Sequence, residues 1–250
     1  MDSPASVKAG KISSRTFLRE LSKGRSPARP YGNRPPNRYY LIVCEGEATE
    51  PNYFEAIARC LPKDMVRRIT VKGVGDNTLG LIDAAKTEIA KRRARHLPDY
   101  YYVWLVFDRD EFPPDHFNRT IDCVEAINAQ NAVLPPKARR CEHWNCAWSN
   151  EALELWYVMH FREQLGGGVS RTQYQKMLEE DVRNGTPDKN FVYKKNDGQM
   201  FARLKDRTLD AIRRAVRALS RQLQANGANW AAMNPATRVH ELVESLMAYL

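Results

Sequence analysis

Residues 100–112 read YYYVWLVFDRDEF, an unbroken series of aromatic and aliphatic side chains that stops at a cluster of acids. A strand with one wet face alternates apolar and polar residues, and this run does not. Both of its faces must therefore be covered, as in a parallel sheet with helices packed on each side. The run is strand-sized, far short of the roughly 20 apolar residues that cross a bilayer, so no membrane segment is expected.

The flanking sequence supplies the rest of such a sheet. RYYLIVCEG (38–46) reads as a second buried strand, RRITVKGV (67–74) as a third and CEHWNCAWS (141–149) as a fourth. Between them lie helical patterns. TEPNYFEAIARCL (49–61) has Thr49 as its cap and Pro51 in its first turn. Residues 79–96 place Leu81, Ile82, Ala85 and Ile89 on one face, and residues 116–130 and 150–161 give two further helices. The order predicts an α/β domain over 38–165, with a mainly parallel four-stranded sheet and helices on both faces. After the glycines at 166–168, the patterns at 171–182, 198–225 and 235–250 predict a C-terminal helical extension over 166–250. The long middle helix carries an apolar stripe of Leu204, Ile212, Val216, Leu219 and Leu223.

Net charge is +9, and residues 1–38 hold nine bases against Asp2 and Glu20. With SPARPYGNRPPN at 26–37, residues 1–37 read as a basic, mostly disordered arm, in which SRTFLRELSK (14–23) could form a short helix. The excess charge favours a polyanionic partner, nucleic acid foremost. The five cysteines are dispersed and read as free thiols. CEHWNC (141–146) brackets His143 but lacks a second ligand pair with zinc spacing. With no secretory h-region at the N-terminus, the expected compartment is the cytoplasm.

Ligand sites of open α/β sheets form beyond the carboxyl ends of the strands. Glu45 ends one strand and Asp108 and Asp110 end another. In extended backbone residues two apart point the same way, so Asp108 and Asp110 could share one cation while Arg109 turns aside. Carboxylates brought together at an apolar rim resist ionisation unless a cation offsets them. Mg²⁺, or Mn²⁺, is the hard ion that suits such oxygen donors and bridges to phosphate. The competing reading is that these acids cap helices or pair with arginines.

At these residues the chain resembles the Toprim superfamily, and more closely the RloB or AbiLii family of bacterial phage-defence proteins. The matching pieces are CEGEATEPNYF (44–54), VFDRDEF (106–112), AWSNEALELWYVMHF (147–161), VYKKNDGQMFARL (192–204) with AIRRAVRAL (211–219), and NPATRVHELVESL (234–246). The resemblance implies a Toprim-like sheet, with Glu45 as general acid/base or metal-linked carboxylate and Asp108 and Asp110 as Mg²⁺ ligands, assisted by Glu111. Glu50 stands one residue further from Glu45 than in the related nucleases, so it either supports the site or begins the helix, where the dipole favours an acid. SNEALELW adds Asn150, Glu151 and Glu154, the two acids falling three apart on one helix face. In YKKND, Lys194 is the candidate to hold a phosphate, with Lys195 beside it. Arg203, Arg207, Arg213 and Arg214 make the long helix basic and could track a nucleic-acid backbone, although a solvated face explains most of these charges.

The leading expectation is a Mg²⁺-dependent nuclease that cleaves RNA, tRNA included, or DNA in antiviral defence. The resemblance implies an ABC- or AAA-type ATPase partner, and since this sequence has no GxxxxGK[ST] loop of its own, any nucleotide sensing would come from elsewhere. An oligomer is compatible with the sequence. The alternative is a non-catalytic nucleic-acid-binding or assembly subunit. A primer- or nucleotide-synthesising enzyme is a third class, for which no additional nucleotide motif is visible.

Overall fold

Alternate residues of the central strands serve two separate cores. In a computed structural model, which describes residues 38–75, 78–110, 113–135, 142–163 and 166–250, the strands are β1 (Tyr40–Cys44), β2 (Ile69–Gly73), β3 (Tyr102–Asp108), β4 (His143–Asn150) and β5 (Ala236–Thr237). The arm read into residues 1–37 lies outside the described residues, as do Glu111 and Cys141. The sheet order is β2-β1-β3-β4-β5. The four expected strands are all parallel, and β5 adds a short antiparallel edge through Ser149 opposite Thr237 and Asn150 opposite Ala236.

Leu41, Val43, Val103, Leu105 and Phe107 face one way. They pack on α3 (Gly80–Ala94), through Leu81, Ile82 and Ile89, and on α4 (Pro114–Val133), through Phe117, Ile121 and Val124. The intervening residues Tyr40, Ile42, Trp104 and Val106 face the other way. That core takes Tyr53, Phe54 and Ile57 of α1 (Thr49–Arg59) and Met65 of α2 (Lys63–Val66), a short helix not expected from the sequence. It is completed by α5 (Leu153–Val158), α6 (Arg171–Gly185), α7 (Met200–Leu204), α8 (Thr208–Asn226) and α9 (Val239–Met247). The C-terminal helices thus share one core with the sheet, and the continuous apolar run at 100–107 is explained by burial on both faces.

Several boundaries differ from the sequence expectation. Thr49 does not cap α1; Ala48 holds the cap position, and the Thr49 hydroxyl instead donates to Oδ1 of Asn196 at 2.6 Å. The expected helix from Asn150 starts only at Leu153, because β4 runs on to Asn150 and its main chain pairs with β5. The expected helix 198–225 is broken into α7 and α8 by a 3₁₀ turn over Lys205–Arg207. There the buried Thr208 hydroxyl donates to the Lys205 carbonyl at 2.8 Å, a local bond that competes with the helical ladder. On the predicted stripe Leu204, Ile212 and Leu219 are buried, but Val216 and Leu223 are 44% and 40% exposed. The expected last helix likewise begins later, since Ala236 and Thr237 are taken into the sheet. Among the described residues no helix is long and apolar enough to cross a membrane, and Cys44, Cys60, Cys123 and Cys146 are free thiols.

Candidate functional site

The strand order reverses direction at β1, which has β2 on one side and β3 on the other. Chains leaving neighbouring strands on opposite sides open a crevice at their carboxyl ends. Glu45 leaves β1 at that point, and Asp108 is the last residue of β3. Glu45 is held in register by its own N–H, which donates to the Val106 carbonyl, and by its carbonyl, which accepts from Gly75, both at 2.9 Å. The chain passes so close to the end of β2 that a Cβ on Gly73 would stand 2.7 Å from the Glu47 Cα, so only glycine fits.

Side chains then converge across the crevice. The Asp108 N–H donates to Oε2 of Glu45 at 3.1 Å, and Oδ2 of Asp108 accepts from the N–H of Leu153, the first residue of α5, at 3.1 Å. Asp110 joins its neighbour by a route other than strand alternation. The strand ends at Asp108, and Asp110 turns back at φ +35°, a conformation Asp tolerates, with its N–H on the Glu151 carbonyl at 3.0 Å. Glu154 of α5 is buried and accepts from Nε2 of Gln175 at 3.0 Å. Glu50, in the first turn of α1, is also buried, and its Oε2 has no hydrogen-bond partner. Gly46 makes room for it, since a Cβ there would collide with the Glu50 carboxylate.

The cation facing these acids is Arg171, at the start of α6. Its Nη2 lies 2.8 Å from both Oδ2 of Asp108 and Oδ2 of Asp110, and its Nε stands 3.5 Å from Oε2 of Glu154. One guanidinium cannot neutralise Glu45, Glu50, Asp108, Asp110 and Glu154 together. Burial pushes the Glu45 carboxyl from 4.5 up to about 7; the Asp108 N–H opposes the rise, and Asp110 and Glu50 add to it. Asp108 is raised well above the usual carboxylate range by burial and by Glu50, against the pull of Arg171. Glu50 and Asp110 are raised by burial in the same way. For Arg171 burial disfavours the charge, but Asp108, Glu154 and Asp110 outweigh it and hold the guanidinium protonated.

The cluster therefore contains Glu45, Glu50, Asp108, Asp110 and Glu154 from the sequence expectation. Glu111 lies outside the described residues. Glu151 is not on the helix with Glu154, because α5 begins after it; it contributes its main-chain carbonyl to Asp110. Asn150 ends β4 and is tied to the C-terminal segment, donating to the Ala231 carbonyl at 3.0 Å and accepting from Asn234 at 3.3 Å. Both lysines are exposed, and of the two Lys195 is the one whose charge opposes the rise of the Glu50 and Asp110 carboxyls. Their loop is pinned to α1 through Asn196, whose carbonyl accepts from Nδ2 of Asn52 at 3.0 Å.

The arginines expected to track a nucleic-acid backbone have partners within the chain. Arg203 pairs with Asp188, Arg207 donates to the Gly185 carbonyl, Arg213 pairs with Asp210, and Arg214 donates to the Met159 carbonyl at 2.7 Å. Arg171 and Gln175 were not foreseen. The only sequence signal was Ser170 followed by Gln173, which does form a capping box and so fixes the first turn of α6.

Could this centre hold a divalent ion? Its donors are all oxygens, as Mg²⁺ or Mn²⁺ require, and the unpartnered Oε2 of the buried Glu50 is an acceptor in need of a positive neighbour. The donor set fits. Among the described residues, no group of three or more acids, histidines or cysteines is arranged around a common metal position, and Nη2 of Arg171 bridges Asp108 and Asp110 instead. The family model described as RloB-like protein matches residues 40–246, which covers both the sheet and the C-terminal helices. No curated protein and no solved structure matches the chain.

Proposed function

The chain belongs to the RloB-like family, and on that premise we propose that it is a Mg²⁺- or Mn²⁺-dependent, Toprim-type nuclease that hydrolyses phosphodiester bonds of RNA, tRNA included, or of DNA. The observation that carries the reading is the convergence of Glu45, Glu50, Asp108, Asp110 and Glu154 at the crevice where the sheet order reverses, with a buried carboxylate oxygen left unpartnered. Structural ion pairs are normally balanced; this cluster carries more acid than its single arginine can offset.

Asp108 and Asp110 would hold the ion, with Glu45 and Glu50 beside them. When bound, such an ion polarises a phosphodiester oxygen and lowers the pKa of a coordinated water. The chain's own groups do the rest. Glu45, raised to about 7, is suited to accept and return a proton near neutral pH. Asp108 is kept in place by the Leu153 N–H, and Lys195 supplies positive charge at the exposed margin for a polyanion. In this reading the activity serves antiviral defence and is governed by an ATPase partner, and the basic arm at 1–37 adds affinity for nucleic acid.

The test combines purified protein with end-labelled RNA and DNA in Mg²⁺, Mn²⁺ or EDTA, and sequencing of RNA ends from phage-challenged cells that express the chain with its neighbouring genes. New ends that vanish with Asp108→Asn and Glu45→Gln are expected. Protection from phage that survives both substitutions would refute hydrolysis at this centre and leave a binding or assembly subunit.

A further inference from the structure

Arg171 is unusually well placed and poorly satisfied. It occupies the first position of α6, whose start is fixed by the capping box of Ser170 and Gln173 and whose body is anchored in the core by Tyr174, Leu178 and Val182. From that fixed base one nitrogen, Nη2, serves both Asp108 and Asp110, while Nε is buried without a hydrogen bond, 3.5 Å from Glu154. A guanidinium normally meets carboxylates through two parallel N–H bonds to one partner; here it is stretched across three. Its side chain is 32% exposed, against 6% for Asp108 and Glu154 and 26% for Asp110, so it has a path out toward solvent that the buried Asp108 and Glu154 lack.

We infer that Arg171 is the built-in counter-ion of this centre, and that its bridge between Asp108 and Asp110 and a divalent cation on the same two oxygens exclude each other. The inference rests on the metal reading above and adds regulation to it. Arginine cannot lose its charge to make way, so it must move. A metal-free chain is thereby held together by its own cation, and metal entry requires the guanidinium to withdraw. Any partner or substrate that draws Arg171 away from the acids would raise the affinity of the centre for the ion.

The experiment measures Mn²⁺ binding to the full chain by the loss of the free-ion EPR signal, with thermal unfolding in EDTA and in Mn²⁺ as a second readout. Wild type, Arg171→Gln, Arg171→Lys and Lys195→Gln are compared. Arg171→Gln is expected to bind Mn²⁺ about tenfold more tightly than wild type and to show the larger rise in Tm on adding the ion. Arg171→Lys should fall between them, and Lys195→Gln, which removes a nearby charge without vacating the bridge, should gain no more than about twofold. An Arg171→Gln chain that is unfolded in EDTA but folds with Mn²⁺ also supports the inference; one unfolded in both overturns it. Equal or weaker binding by Arg171→Gln, or an equal gain from Lys195→Gln, overturns it while leaving the metal reading intact. Failure of every chain to bind Mn²⁺ removes the metal reading and this inference together.

Discussion

Replacing Glu45 by Gln should change how stability depends on pH, in a direction that follows from its surroundings. Burial and the neighbouring Asp110 and Glu50 lift this carboxyl from 4.5 to about 7 in the folded chain. A carboxyl raised on folding favours the folded state while it is neutral. Its contribution is complete below pH 4.5 and is lost as pH rises through about 7. At about 1.4 kcal/mol per pKa unit the rise corresponds to about 3 kcal/mol, and solvent screening of this partly open group brings the expected effect to about 2 kcal/mol. Glutamine keeps the shape and can still accept the Asp108 N–H, but it does not ionise. In EDTA, urea unfolding followed by tryptophan fluorescence should find the variant and wild type similar near pH 4.5, with the variant gaining about 2 kcal/mol relative to wild type by about pH 8. A difference that stays constant with pH, or that grows toward acid, would refute the assigned surroundings of Glu45.

Two further substitutions test the frame around the site. Tyr53→Phe removes the hydroxyl that accepts from the buried indole N–H of Trp156 at 2.8 Å; leaving that donor unpaired should cost about 1–3 kcal/mol in urea unfolding. Arg214→Ala takes away the donor to the Met159 carbonyl and should lower stability by about 1 kcal/mol, with no change in the salt dependence of RNA or DNA binding; a reduced salt slope would return α8 to the nucleic-acid surface.

The sheet was legible because its signal is local. A run such as YYYVWLVF has no wet face, and the pairs Leu41/Val43 and Tyr40/Ile42 do serve opposite cores. What periodicity missed depended on distant partners. Residues 150–152 look helical, yet β5, more than eighty positions later, draws Asn150 into a strand pair with Ala236. The basic stripe expected along 198–225 has internal partners for a related reason: Arg207 and Arg214 find carbonyls on other elements, and Arg217 and Arg221 both reach Glu163. A basic helix read alone shows its charges but not the acceptors that tertiary packing brings to them.

The acidic centre divides along the same line. Glu45 and Asp108 were readable because strand ends are where α/β sheets place ligands, and Asp110 came with them, although through a left-handed turn rather than strand alternation. Arg171 was not readable, because it sits in a helix start after a glycine-rich link and meets Asp108 only when α6 packs on the sheet side that carries Tyr53 and Trp156. The consequence is chemical as well as topological. From the sequence alone the charge of the strand-end acids could be offset by an external ion or by an arginine, and nothing local said which arginine would reach them. With Arg171 present, the chain sets a cation of its own, fixed in charge, against Asp108 and Asp110, so an ion reaching these oxygens would have to displace it.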